Sequence, residues 1–271
     1  MGVLRVTILG CGSSGGVPRA NGDWGACDPA EPKNRRTRCG LLLQRWRGAA
    51  GAESDATSVL IDTAPDLREQ MIAAGVRHVD AVVYTHDHAD QAHGIDDVRA
   101  FALAQRKRMP VYMDAPTRAT LTKRFAYCFY GEGGYPPILE DAGEIRPGED
   151  FLVNGPGGAI TLTPLAQDHG ISQSLAFRFG AGAYSNDLVA MPEETFARLA
   201  GLDVWIVDAL RYTPHPTHAH LARTLEWIAR LKPARAILTN MHIDMDYGRL
   251  ARELPAGVEP AFDGLTFEIE G

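Results

Sequence analysis

The stretch His86-Asp87-His88-Ala89-Asp90-Gln91 decides how this chain is read. It follows an apolar run, Asp80-Ala81-Val82-Val83-Tyr84-Thr85, whose length and β-branched content predict a buried strand. Two imidazoles and a carboxylate therefore stand just past a strand's C-terminal end, where loops build sites. Neutral imidazole and carboxylate together suit Zn²⁺, Mn²⁺ or iron.

Three more candidates share that placement. His169 follows the predicted strand 159–165 and its short extension, Asp187 follows a short run after Gly182, and His242 follows the predicted strand 236–239. Any one of them alone reads as a surface or capping residue. As a set, side chains past strand ends can converge on one point at a sheet edge. Further strands are predicted over 3–9, 40–45, 58–62, 110–113, 174–179, 204–208 and 265–269. Helices are predicted over 65–74, with Gly75 as a stop, and over 97–106, 116–125, 192–200 and 218–231. No short-period repeat and no linker interrupts this order, so residues 1–271 read as one α/β domain with two sheets and external helices.

Composition bounds the function. The chain has 271 residues, of which 45% are hydrophobic and 23% charged, enough for a substantial core. A net charge of −7 argues against an extended nucleic-acid surface. No apolar run is long enough to span a bilayer, and too few residues precede Ile8-Leu9-Gly10-Cys11 for an export signal. The four cysteines form no CxxC pair and read as free thiols of a reducing cytoplasm, with an accessory metal site at Cys27 or Cys39 as the other reading. A homodimer is compatible with the sequence.

Gly10-x-Gly12-x-x-Gly15 after the first strand matches a dinucleotide-binding fingerprint. That motif needs a helix opening on its third glycine to aim amides at pyrophosphate. Gly16-Val17-Pro18-Arg19-Ala20-Asn21-Gly22 cannot be that helix. The glycines instead predict a tight loop that lets backbone approach a metal centre or an anion.

Taken together, His86, His88 and Asp90, then His169, Asp187 and His242, resemble the ligand motifs of the metallo-β-lactamase superfamily, with Asp62-Thr63-Ala64-Pro65 similar to its Asp motif before the first helix. The resemblance covers nearly the whole chain. It leans toward the phosphodiesterase subgroup that includes the carbon–phosphorus lyase accessory enzyme, a cyclic-phosphate hydrolase. The residues that carry this are the Gly-rich first loop, Asn34-Arg35-Arg36-x-Arg38-Cys39, and His218-x-x-Leu221. What the resemblance implies is a four-layer αββα sandwich and two divalent ions, Zn²⁺ or Mn²⁺. His86, His88 and His169 would hold the first, Asp90 and His242 the second, and Asp187 would bridge them. Such pairs supply hydroxide near neutral pH for attack on phosphorus and clamp the entering and leaving oxygens. Asp90 would also orient the nucleophile, and His218 would bind a phosphoryl oxygen or protonate the leaving alkoxide. The implied substrate is a small phosphodiester, a cyclic phosphate or a nucleotide.

Gln91 departs from the superfamily pattern, which has an imidazole there. A neutral amide oxygen is the weaker donor. The expectation is two metals with a weak second site, with His93 as a substitute ligand or a neighbour of the site, or else a single metal. The subgroup's structural zinc on an N-terminal cysteine cluster is not expected, since 22–28 contains Cys27 alone. Arg35, Arg36 and Arg38 are candidates for phosphate binding, though a solvated loop would carry the same residues. A (thio)ester hydrolase and a low-turnover nucleotide- or phosphate-binding protein remain the alternatives in function.

Overall fold

Alternation within the central strands sets the layers. In β2 (Gly40–Trp46), Leu41 and Leu43 enter one core while Leu42 enters another. Val59 and Ile61 against Leu60 in β3 (Thr57–Ile61), and Ala81 and Val83 against Val82 in β4 (Ala81–Val83), repeat the division. A strand buried on both faces lies between two apolar layers. Each fully buried Leu, Ile or Val contributes about 1.5–3 kcal/mol, so the pattern fixes register strongly.

The computed structural model describes residues 2–270. The first sheet contains β1 (Val3–Gly10), β2, β3, β4, β5 (Met109–Met113) and β6 (Leu139–Glu144). The second contains β7 (Phe151–Val153), β8 (Ile160–Asp168), β9 (Gln173–Phe179), β10 (Gly182–Ser185), β11 (Val204–Asp208), β12 (Arg235–Thr239) and β13 (Val258–Pro260). β14 (Thr266–Glu270) returns to pair with β1 and completes two seven-stranded sheets. β3 through β6 run parallel, as do β10 through β13. The sheets face each other across one core that joins Leu41, Val59 and Val83 to Leu162, Phe177 and Ile206. Helices α1 (Leu67–Ala74), α2 (Ala89–Ala92), α3 (Arg99–Gln105), α4 (Ala115–Arg124) and α5 (Ala126–Tyr130) follow strands of the first sheet. α6 (Glu193–Arg198), α7 (Leu221–Leu231) and α8 (Tyr247–Glu253) belong to the second half. This is the αββα sandwich.

Local chemistry explains the boundaries. α1 buries Leu67 and Met71, one turn apart, and ends at Gly75 with φ 67°. Asp114 caps α4, its carboxylate accepting from the Thr117 amide. α7 starts at Leu221, three residues later than the pattern predicts. Pro214 and Pro216 keep the preceding segment out of helix, so His218 stands on a loop and not on a helix end. The amides of α7 begin only after the N-cap His220, beyond His218. Among the described residues, no helix is long and apolar enough to cross a membrane. No helix follows Gly15 either: a Cβ on Gly10 would lie 2.1 Å from the Arg38 carbonyl oxygen, so this glycine serves close backbone packing.

Candidate metal centre

Strand ends bring the site together. His86 and His88 follow β4, His169 follows β8, Asp187 follows β10, Asp208 ends β11 and Asn240 follows β12. Among the described residues five other than glycine adopt positive φ, and three of them are here: Asp62 at 65°, Asp187 at 52° and Asn240 at 59°. Asp and Asn tolerate this region best, and such strain concentrates where side chains must be aimed.

The rings of His86, His88 and His169 meet at centroid distances of 4.5, 5.2 and 4.9 Å. His169 Nδ1 donates to the Thr217 carbonyl at 2.7 Å. A carbonyl only accepts, so Nε2 carries the lone pair, and it lies 3.2 Å from His88 Nδ1. His86 is aimed by a relay. Asp62, as carboxylate, accepts from the Thr85 amide and hydroxyl, each at 2.8 Å, and the hydroxyl oxygen then accepts from His86 Nδ1 at 3.0 Å. His86 Nε2 is left facing inward, buried and without a hydrogen-bond partner. Burial lowers His169 to a pKa of about 4, and burial with the neighbouring imidazoles takes His86 well below the usual value. Asp187 Oδ2 lies 3.3 Å from His86 Nε2, acceptor against lone pair, so neutral imidazoles with converging lone pairs and an adjacent carboxylate fit a divalent cation. Burial pushes Asp62 up to about 8 against its bonds from Thr85, so a cation here favours its carboxylate form and the relay.

A second cluster adjoins the first. His218 Nδ1 donates to Asp208 Oδ2 at 3.0 Å and lies 3.5 Å from Asp187 Oδ1. Its ring is 4.7 Å from that of His169. Burial opposes charge on His218, but the Asp208 hydrogen bond and the charges of Asp208, Asp187 and Asp90 outweigh it and push the pKa up to about 9. Burial, then the charge of Asp90, hold Asp187 well above the ordinary carboxylate range. Thr224 of α7 donates to the Asp208 carbonyl at 2.6 Å and ties the helix to the site.

Other candidates fall elsewhere. His242 does not reach Asp187: its Nδ1 pairs with Asp244 at 3.0 Å and its Nε2 meets the Arg19 guanidinium. Asn240 reaches Asp187 instead, at 2.6 Å. Gln91 also donates to Asp187, at 2.9 Å. His93 is exposed and packs edge-on against Phe125. The three arginines diverge. Arg36 is buried on Asn34 and Cys27, Arg35 lines a cavity beside α1 on the outer face of the first sheet, and Arg38 faces the cavity beside Asp90 while paired to Asp66. That last cavity, of about 590 Å³, is also lined by Ser14, Asn21 and Arg19. All four cysteines are buried free thiols, and none joins a metal-type cluster among the described residues. Asp208 ends the predicted strand 204–208 and shares the placement that marks Asp187, whereas Asn240 and Arg19 carry no signal of residue type.

Residues 57–243 match the family model described as a beta-lactamase superfamily domain. The structure superposes on that of a new diphosphatase from the PhnP family with a TM-score of 0.87 and 33% identity, over 99% of this chain and 98% of that one. The chain is a metallo-β-lactamase-fold member of the beta-lactamase superfamily, related to PhnP. Among curated relatives it is 28% identical over 272 residues to an octanoyltransferase of Porphyromonas gingivalis, and 28% identical over 178 residues to a ribonuclease Z of a Bradyrhizobium species. The matches take in 98% and 64% of this chain. The chain spans about half the length of these curated relatives, 52% of each.

Proposed function

We propose that this superfamily hydrolase is a metal-dependent phosphodiesterase acting on small phosphodiesters, cyclic phosphates or nucleotides. The observation that carries the reading is His218, a proton-bearing imidazole anchored on Asp208, set against the His86, His88 and His169 trio. The PhnP-family diphosphatase and the ribonuclease Z among the similar proteins support phosphorus as the centre attacked. The trio would hold Zn²⁺ or Mn²⁺, which supplies Lewis acidity and acidifies a water to near neutral pH. Asp90 and Asp187 flank that position and orient the entering water. With Nδ1–H donated to Asp208, the protonated His218 ring presents its second proton, on Nε2, to the leaving alkoxide. Arg19 and Arg38 line the adjoining cavity and receive the non-reacting anionic oxygens.

The test is turnover by metal-reconstituted protein on bis(4-nitrophenyl) phosphate, cyclic nucleotides and a panel of acyl thioesters. Phosphodiesters are expected to be cleaved fastest. Faster thioester cleavage would transfer the site to acyl chemistry, and nucleotide binding without turnover on any substrate would make it a binding site.

Arg19→Ala and Arg38→Ala are each expected to raise KM for a substrate carrying a second anionic group while leaving kcat within about threefold. A charge-assisted hydrogen bond is worth about 1.5–3 kcal/mol, so the rise is on the order of 10- to 100-fold. Steady-state kinetics on nucleotide and neutral aryl substrates check this; equal effects on both would remove the arginines from anion binding. His242→Ala is expected to mimic Arg19→Ala more weakly, because it removes the partner of the Arg19 guanidinium.

A further inference from the structure

We propose that the chain holds one divalent ion, at His86, His88 and His169, and that Gln91 and Asn240 replace the second metal position with an amide clamp on Asp187. This rests on the metal-dependent reading above. A bridging carboxylate must turn lone pairs toward both ions, from one oxygen or from two. Here Asp187 Oδ2 accepts from Gln91 Nε2 at 2.9 Å and Oδ1 accepts from Asn240 Nδ2 at 2.6 Å. Both amides are buried, Gln91 in α2 and Asn240 just past β12, so the two bonds form out of water, where they are strongest. Turning Asn240 over would take its N–H off the carboxylate and set its oxygen against the Asp187 oxygen.

No imidazole nitrogen outside the trio is free to replace them: His218, beside Asp187, commits Nδ1 to Asp208 at 3.0 Å. His242 commits Nδ1 to Asp244, and its remaining lone pair meets the Arg19 guanidinium. A guanidinium does not deprotonate in proteins, so it blocks that nitrogen and repels a cation. His93 faces solvent beside Phe125. What remains for a second ion is Asp90 with a half-engaged Asp187, Asp208 and a His218 whose Nδ1 already donates to Asp208, so the set offers carboxylates and no free nitrogen to zinc, which takes nitrogen and sulfur donors by preference. The trio, by contrast, supplies three imidazoles and an open fourth position, the coordination of a catalytic zinc. The clamp also fixes Asp187 at the strained φ of 52° without needing an ion to do so.

The experiment is a count of ions per chain. Metal-free protein is reloaded separately with Zn²⁺ and Mn²⁺, desalted and examined by native mass spectrometry. One ion per wild-type chain is expected with either metal, and an isolated six-line electron paramagnetic resonance signal with Mn²⁺. The double variant Gln91→His/Asn240→His is expected to retain two ions and to show an exchange-coupled Mn²⁺ signal. Two ions retained by the wild type would overturn the proposal whether or not the variant folds. No ion retained would overturn it together with the metal-dependent reading. One ion bound with no phosphodiester turnover would leave this proposal standing and strike only the assigned activity.

Discussion

His169→Ala is expected to abolish hydrolysis and metal retention together while the fold survives. The ring is one of three converging donors, and it is the one aimed by a backbone carbonyl, Thr217, and not by a neighbouring side chain. Losing it leaves two imidazoles and an open side, which cuts affinity for a divalent ion steeply. An ion at such a site contributes several kcal/mol to the barrier. At 1.36 kcal/mol per tenfold, the loss in kcat/KM is about three orders of magnitude or more. Thermal unfolding separates this from misfolding. A ligand at 1,000 times its Kd stabilises the native state by about 4 kcal/mol, which for a chain of this size is a rise in Tm of roughly 10 °C. Wild-type protein is expected to show that rise on adding Zn²⁺, and the variant is expected to show none. The variant's metal-free Tm should stay near the wild-type metal-free value, since its ring is aimed into the cluster and not into the core. A variant that keeps both its ion and its activity would show that the trio is not the metal site.

The fold was legible because the central strands are buried on both faces and so stand out as continuous apolar runs. Strand 204–208 matches β11 residue for residue, and the runs before His86 and Asp187 locate β4 and β10. The edges were not legible. β6 reads Leu-Glu-Asp-Ala-Gly-Glu, a polar strand with exposed alternate residues, and β7 and β13 are three residues each. α8 buries only Leu250, so it has no periodicity to detect.

The site divides the same way. Histidines past strand ends announce themselves by residue type, and the trio assembles as the spacing predicts. Asp208 shares that placement, as the last residue of an apolar strand. Asn240 is hidden because an amide does not belong to the usual ligand vocabulary, although it sits two residues before His242 and nearer the strand end. That offset decides the second site: the residue at the turn reaches Asp187, and the one beyond it swings to Arg19. Arg19 comes from a long irregular loop in which no period can be read, and only its fold back toward the His242 loop places it at the cavity mouth.

The second large effect is expected at His218. A general acid contributes about 10²- to 10⁴-fold, most where the leaving group is a poor one. His218→Ala is therefore expected to lower kcat on alkyl or ribose phosphodiesters by about that factor, and on bis(4-nitrophenyl) phosphate by about tenfold or less, because nitrophenolate leaves without a proton. Ion count and metal-induced Tm should not move, which separates a proton donor from a ligand. The pH dependence carries the same signature. The donor must be protonated, and carboxylates around it raise its pKa to about 9. Activity that depends on it is full below that value and falls as pH rises through it, whereas an unperturbed histidine would lose its proton near 6.5. Asp208→Asn removes the hydrogen-bonded charge that does most of the raising, so the descending limb should move toward neutral pH, while the amide oxygen still accepts from Nδ1–H and keeps the protonated ring oriented with Nε2–H outward. A limb that stays in place in Asp208→Asn, or a His218→Ala penalty that is equal for good and poor leaving groups, would take the acid role away from His218 and leave it as a binding residue for the phosphoryl oxygen.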